Sequence, residues 1–276
     1  MENTILIFQN VSKSYGGIRA LESLTFAVRR DEVVALLGPN GAGKTTAIEI
    51  AIGLRAAGSG DVRLFGASPR RVDVRRRLGV TPQESGFPDM LRVDEIVAFV
   101  AQHYPAPASL RETLERFGLV ELATRRAGTL SGGELRRLAL ALAFAGEPDL
   151  VVLDEPTASL DVESRRRLWE VVRTLGNGRS ILFTTHYLEE AQALATRILV
   201  VDHGRLLFDG EPEALRGRVG GRRLSYVGEN GPVAVMSGDA DEYVRAMVAS
   251  GVTFSNLEIA RPSLEEAFLS LTGGTK

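Results

Sequence analysis

Three short stretches of this 276-residue chain carry residue types that can do chemistry on a phosphate. The first is GPNGAGKTT, Gly38 to Thr46, lying between an apolar run, EVVALL (32–37), and a helical apolar pattern, AIEIAIGL. Gly38, Gly43, Lys44 and Thr45 fill the G-x-x-x-x-G-K-[ST] spacing in the context it requires, strand before and helix after. With Asn40, Gly41 and Thr46 they form a loop whose backbone N–H groups can turn inward onto a β-phosphate. Lys44 would reach the β and γ oxygens, and the Thr45 hydroxyl would ligate Mg²⁺. Lysine occurs at only three positions, 13, 44 and 276, while arginine is used throughout. A compact ammonium fits inside a tight loop where a planar guanidinium does not.

The second stretch is LVVLDE (150–155). An Asp at the end of a buried strand can hold Mg²⁺ through a water, which suits Asp154. Glu155, one residue on, projects differently and can polarise a water in line with a γ-phosphate. The third is LSGGE. Ser131 and Glu134 have the spacing of a capping box and start a helix, yet Gly132 and Gly133 sit in its first turn, at about 1 kcal/mol each. Bare backbone and a serine hydroxyl at a helix start make a second anion site. His186 ends another apolar strand, RSILFTTH; a single histidine there is more often structural than functional. Tyr15, Gln83 and Asp161 are also uninformative singly, and His103 and His203 read as structural.

The elements expected around these residues alternate strand and helix, which argues for a parallel α/β core. Strands are expected at 4–11, 19–28, 32–37, GDVRLFG (60–66), 149–156 and 179–186, and a hairpin over 197–210 turning at Gly204. An Arg-rich helix is expected at 70–78, with Arg70, Arg71 and Arg75–Arg77 on a solvated face. Residues from about 84 to 147 read as a mainly helical insertion. Beyond about 215 the texture changes to strand, GENG turn, strand, helix, strand, helix, a small α+β appendage over 215–276.

Composition is that of an ordinary globular chain, 44% hydrophobic and 25% charged, with net charge −2. Nothing global points to nucleic acid or to an anionic membrane surface. Without cysteine there is no disulfide, thiolate metal site or cysteine nucleophile. The first residues lack a signal-peptide pattern, and no apolar run approaches the ~18 residues of a membrane span, so a membrane role is expected through a partner.

Taken in order, Tyr15, GPNGAGKTT, Gln83, LSGGE, LVVLDE, SLD (159–161) and His186 closely resemble the ATP-binding cassette ATPases over roughly residues 4–212. The resemblance implies a P-loop NTPase core over 1–214, with the helical subdomain inserted, and ATP and Mg²⁺ as ligands. It implies that Tyr15 stacks on adenine, Gln83 touches Mg²⁺ and senses a membrane partner, Glu155 is the general base, and His186 contacts the γ-phosphate. It also accounts for the second anion site. Two subunits sandwich the nucleotide head-to-tail, Lys44 gripping from one side and Ser131 with Gly133 from the other, with Ser159–Asp161 crossing the interface. Glu134 stands where glutamine is more usual, a change the capping box tolerates.

The tail, RPSLEEAFLSLTG (261–273), looks like that of ATPase subunits of drug, antibiotic and polysaccharide exporters. The expectation is therefore a bacterial exporter ATPase, a homodimer or a pair with a related subunit. It would be peripheral at the cytoplasmic face of the inner membrane, held there by a separately encoded permease. The rivals are an importer ATPase, or a soluble cassette acting in DNA repair or on the ribosome. Repair members carry long coiled coils between loop and signature, whereas no heptad run separates Lys44 from Ser131. Ribosome-acting members hold two cassettes per chain. A P-loop GTPase or kinase leaves LSGGE unexplained, and no N-K-x-D motif is present.

Overall fold

Two long strands open the chain, β1 (Thr4–Tyr15) and β2 (Ile18–Arg29), turning at Gly16–Gly17, where both glycines take positive φ. They pair antiparallel, and β4 (Ser59–Leu64) joins the other edge of β1, giving a three-stranded sheet of order β2-β1-β4. Between them in sequence lie β3 (Val33–Leu37) and α1 (Lys44–Ala51). The computed structural model describes residues 3–82, 86–158, 160–176 and 178–273.

The expected Arg-rich helix shrinks to one turn, α2 (Val72–Arg75). Arg77 instead turns to pair with Asp149 at 2.7 Å and lies over the Phe65 ring, so Leu78 can start β5 (Leu78–Thr81). The helical stretch holds α3 (Val93–Ala101), α4 (Leu110–Arg116), two 3-10 turns, and α5 (Gly132–Phe144). Then come β6 (Leu150–Asp154), α6 (Val162–Gly176), β7 (Ser180–Thr185), α7 (Leu188–Leu194), β8 (Arg197–Asp202) and β9 (Arg205–Gly210). His203 and Gly204, both at positive φ, make the tight turn between β8 and β9.

A six-stranded sheet of order β5-β6-β7-β3-β8-β9 results, with β5, β6, β7, β3 and β8 mutually parallel. Its strands β3, β6, β7 and β8 are buried on both faces, as continuous apolar runs require. One set, including Val34, Leu36, Val152, Leu182 and Leu199, shares a core with Phe8, Leu21, Leu24 and Ile48 from β1, β2 and α1. The alternate set, including Leu37, Val151, Leu153, Ile181 and Phe183, is equally buried. The sequence reading did not separate β1, β2 and β4 from the parallel sheet; they form one of their own.

This order decides the site. Strands β6, β7 and β3 are neighbours running the same way, with Leu37 beside Thr185 and Thr184 beside Asp154. Their C-terminal ends, which lead into Gly38, Glu155 and His186, therefore open side by side at one edge, where ligands of open α/β sheets bind.

The chain divides into two compact units, Met1–Asp209 and Gly210–Lys276. A cut after residue 214 would run through α8 (Pro212–Gly217). The second unit continues with β10 (Arg222–Gly228), β11 (Gly231–Ser237), α9 (Ala240–Ala249), β12 (Phe254–Ala260) and α10 (Leu264–Leu271). Its antiparallel sheet has the order β11-β10-β12, and Ser263 with Glu266 caps α10 in a capping box.

Candidate functional site

The loop after β3 is held in shape by its glycines. Gly43, immediately before α1, has φ 101°, and a Cβ on it would lie 2.4 Å from the Ala20 carbonyl oxygen. Only glycine fits both restrictions. Gly41 also takes positive φ. Lys44 is the first residue of α1 and is buried, its Nζ donating to the carbonyls of Gly38 at 2.8 Å and Pro39 at 3.1 Å. The ammonium thus folds back across the loop. Burial lowers its pKa, opposed by the carboxylates of Glu155 and Asp154. Asn40 and Thr45 are exposed, and Thr46 is half-buried.

Asp154 ends β6, almost fully buried. Burial raises its pKa; a hydrogen bond from Thr184 pulls the other way, and so do Lys44 and Arg136. Thr184 Oγ1 donates to Asp154 Oδ1 at 2.5 Å and accepts from the Glu155 N–H at 2.9 Å. One hydroxyl therefore fixes both acids. Glu155 is held at φ 47°, a conformation that non-glycine residues rarely adopt and that recurs at functional sites. Its carboxylate meets His186, whose Nδ1 lies 3.3 Å from Glu155 Oε1. His186 itself is exposed at the end of β7.

Ser131 and Gly133 lie apart from this group. Ser131 caps α5: its Oγ accepts from the Glu134 N–H, and its own N–H donates to Glu134 Oε2 at 2.7 Å. Together with Ser164, Arg167 and Leu160 they line a separate pocket of about 210 Å³. Among the described residues, no hydrogen bond or ion pair joins Ser131 or Gly133 to the Lys44 loop. Asp161 accepts from the Ser164 N–H at 2.9 Å and its Oγ at 2.6 Å at the start of α6. Tyr15, at the end of β1, leaves over a third of its surface open, with Lys13 Nζ 5.5 Å and the Arg55 guanidinium 5.4 Å from its ring. Gln83 and Ser159 lie outside the described residues.

Sequence reasoning missed Arg136. Buried on α5, its guanidinium donates to the carbonyls of Pro156 (2.6 Å), Pro82 (3.2 Å), Asp154 (3.0 Å) and Glu155 (2.5 Å). It thereby ties the helix that starts at Ser131 to the acids and to the segment leading to Gln83. Burial lowers its pKa, opposed by Glu190, Asp154 and Glu155. In a chain so rich in arginine, nothing marked this one out. Thr184 was equally silent; two buried threonines ending an apolar strand were the available signal.

A sequence profile of the family described as ABC transporter matches residues 21–158, from β2 through the acids to Ala158. Similarity to curated relatives runs nearly end to end. The Nod factor export ATP-binding protein I of Paraburkholderia xenovorans is 35% identical over 300 aligned residues, covering 99% of this chain and 98% of its own. The chain belongs to the ABC transporter family. The daunorubicin resistance ATP-binding protein DrrA3 of Streptomyces coeruleorubidus is 34% identical, covering 99% and 97%. Among solved structures, an ATP-binding subunit of an ABC transporter superposes with TM-score 0.70 at 28% identity, covering 78% of this chain and 92% of that one. A dimeric cassette in a post-hydrolysis state with ADP and Pi shares the fold at TM-score 0.68 and 24% identity, covering 75% and 98%. The protein is an ATPase that binds ATP.

Proposed function

We propose that the chain is the ATP-hydrolysing subunit of a bacterial exporter, working as a head-to-tail dimer on a separately encoded permease at the cytoplasmic face of the inner membrane. The observation that carries the exporter reading is coverage. The relatives named for Nod factor export and daunorubicin resistance align through the C-terminal unit as well as the cassette. Among the described residues no helix is long and apolar enough to cross a membrane, so a permease would supply the path.

In this reading Tyr15 stacks on adenine and the N–H groups of Gly41, Gly43 and Lys44 surround the β-phosphate. Lys44 Nζ exchanges its two carbonyl partners for β and γ oxygens. The Glu155 carboxylate takes a proton from water as the water oxygen bonds to the γ-phosphorus and the bond to the bridging oxygen breaks, giving ADP and phosphate. His186, beside Glu155, steadies the γ-phosphoryl oxygens, and Ser131 with Gly133 of the second subunit closes the far side.

Mg²⁺ fits the donors present. Asp154 is a buried carboxylate whose charge burial disfavours, and Thr45 offers an exposed hydroxyl at the loop. Among the described residues no cluster of three or more His, Cys, Asp or Glu could hold a metal without nucleotide. That is the pattern of an ion held by one carboxylate and substrate phosphates. Bound there, it would neutralise charge on the transferring phosphoryl group. Gln83 is proposed as a further contact.

The test is to read the neighbouring reading frames for a membrane protein of several spans and to co-express it with this chain. The chain should move into the membrane fraction, and vesicles carrying both should move substrate outward only with ATP. A chain that stays out of the membrane fraction, or a neighbouring solute-binding protein with inward transport, would overturn the exporter reading.

A further inference from the structure

Glu190 has no part in the chemistry above, yet it is fully buried one turn beyond His186. A carboxylate is retained in such a place only when its surroundings compensate it. Its Oε1 accepts from Trp169 Nε1 on α6 at 3.2 Å. Burial pushes its pKa up, opposed by the Thr185 hydroxyl, the Trp169 N–H and the Arg165 guanidinium, and its carboxylate in turn supports the charge of Arg136. The three opposing partners come from the segments that precede His186 and build α6.

A second contact runs beside the first. The Arg165 guanidinium lies 4.1 Å from the centre of the Tyr187 ring, which is itself 4.0 Å from the His186 ring. Tyr187 N–H donates to Thr185 Oγ1 at 2.9 Å, so the elbow bearing His186 is held from both sides. Arg165 and Trp169 are four residues apart and share one helical face. The start of that helix is pinned at Asp161 through Ser164.

We propose that Glu190 is a positioning residue for hydrolysis. Its bond to Trp169, together with Arg165 stacked on Tyr187, clasps α7 to α6 and makes the placement of His186 depend on that of the Asp161 segment. A subunit would then set His186 only when the segment facing the second subunit is seated. This rests on the reading of His186 as a γ-phosphate contact.

Trp169 is the single tryptophan of the chain, so emission excited at the red edge, where tyrosine does not absorb, reports on the surroundings of this one residue. In the full-length protein, Mg-ATP should shift its emission. Glu190→Leu should lower kcat about tenfold, the effect of losing a hydrogen bond to a charged group, with KM little changed. It should bind labelled ATP but show no emission shift. Glu190→Gln keeps an acceptor for Trp169 and should recover most of kcat and the shift. Trp169→Phe, which drops the donor together with the second ring of the indole but keeps an aromatic side chain, should lower kcat in the same direction. His186→Ala separates the two readings. If it loses turnover while Glu190→Leu and Trp169→Phe keep theirs, the clasp is overturned and the site stands. If His186→Ala keeps full turnover, the site reading falls and the clasp with it. An emission unchanged by Mg-ATP in the unaltered protein also contradicts the clasp.

Discussion

The two phosphate-facing elements of this chain are built in opposite ways. The loop at Lys44 is finished within one subunit: its glycine is locked by the Ala20 carbonyl, and its lysine is buried and already hydrogen-bonded. The start of α5 is capped but open. Nothing lies within 4 Å of where a Cβ on Gly132 would be, and Gly133 meets only Ser164 at ordinary contact distance. Fold constraints explain the glycines of the first and leave those of the second without a reason inside the monomer. Bare backbone kept at a helix start, against its cost in helix stability, is what a ligand arriving from outside requires.

The sharpest way to break this comparison is to add one methyl group to each element. Gly43→Ala should abolish ATP binding, because the new Cβ meets a carbonyl and the backbone cannot stay left-handed. Gly132→Ala should leave ATP binding by the monomer within about twofold and gain a few tenths to 1 kcal/mol in helix stability. Equilibrium binding of labelled ATP and thermal unfolding measure both, and equal loss of binding in the two variants would erase the distinction.

Next in size is Ser131→Arg. Turnover should fall to background while nucleotide binding by the monomer survives, since Ser131 shares no hydrogen bond with the Lys44 loop. Parallel binding and phosphate-release assays decide it.

Arg136→Leu joins the two regions and should damage both moderately. Four carbonyls lose a charged donor, so stability should drop by roughly 2–3 kcal/mol and turnover about tenfold. Calorimetry and steady-state kinetics would show it, and an unchanged melting temperature would mean the carbonyls find other donors.

The smallest effect belongs to Asp154→Asn without nucleotide or metal. Burial raises the Asp154 pKa, so the folded state holds the proton more tightly than the unfolded chain, and ionisation costs stability as pH rises through the folded value. The amide keeps an acceptor for Thr184 and removes that cost. The melting temperature should rise at neutral pH, and the gain should shrink as pH falls and the native carboxyl takes up its proton.

Much of this was legible because local rules and the fold agree. The strand–glycine loop–helix unit, the acids ending β6, the capping box at Ser131 and Glu134, and the turn at Gly204 are each set by neighbours within a few residues. What was not legible depends on distant partners. Arg77 leaves its helix for Asp149, 72 residues on, and the first strands pair among themselves instead of joining the parallel sheet. Arg136 and Glu190 differ from solvated charges only once the chain is folded around them, so no spacing announces them. The left-handed turn at Glu155, whose N–H donates to the Thr184 hydroxyl 29 residues on, cannot be read from LVVLDE alone.

The central claim, that the two elements are halves of one site, is met most directly by trapping that site shut. Glu155→Gln keeps size and hydrogen bonding but cannot take the proton from water, so turnover should fall about 10²–10⁴-fold while Lys44 and Thr45 still hold ATP. Size-exclusion chromatography with Mg-ATP should show a dimer for Glu155→Gln and monomer without nucleotide. Adding Ser131→Arg to the same chain should return it to monomer with ATP still bound. A dimer that persists in the double variant would contradict the account, and LSGGE would then be no more than a capped helix.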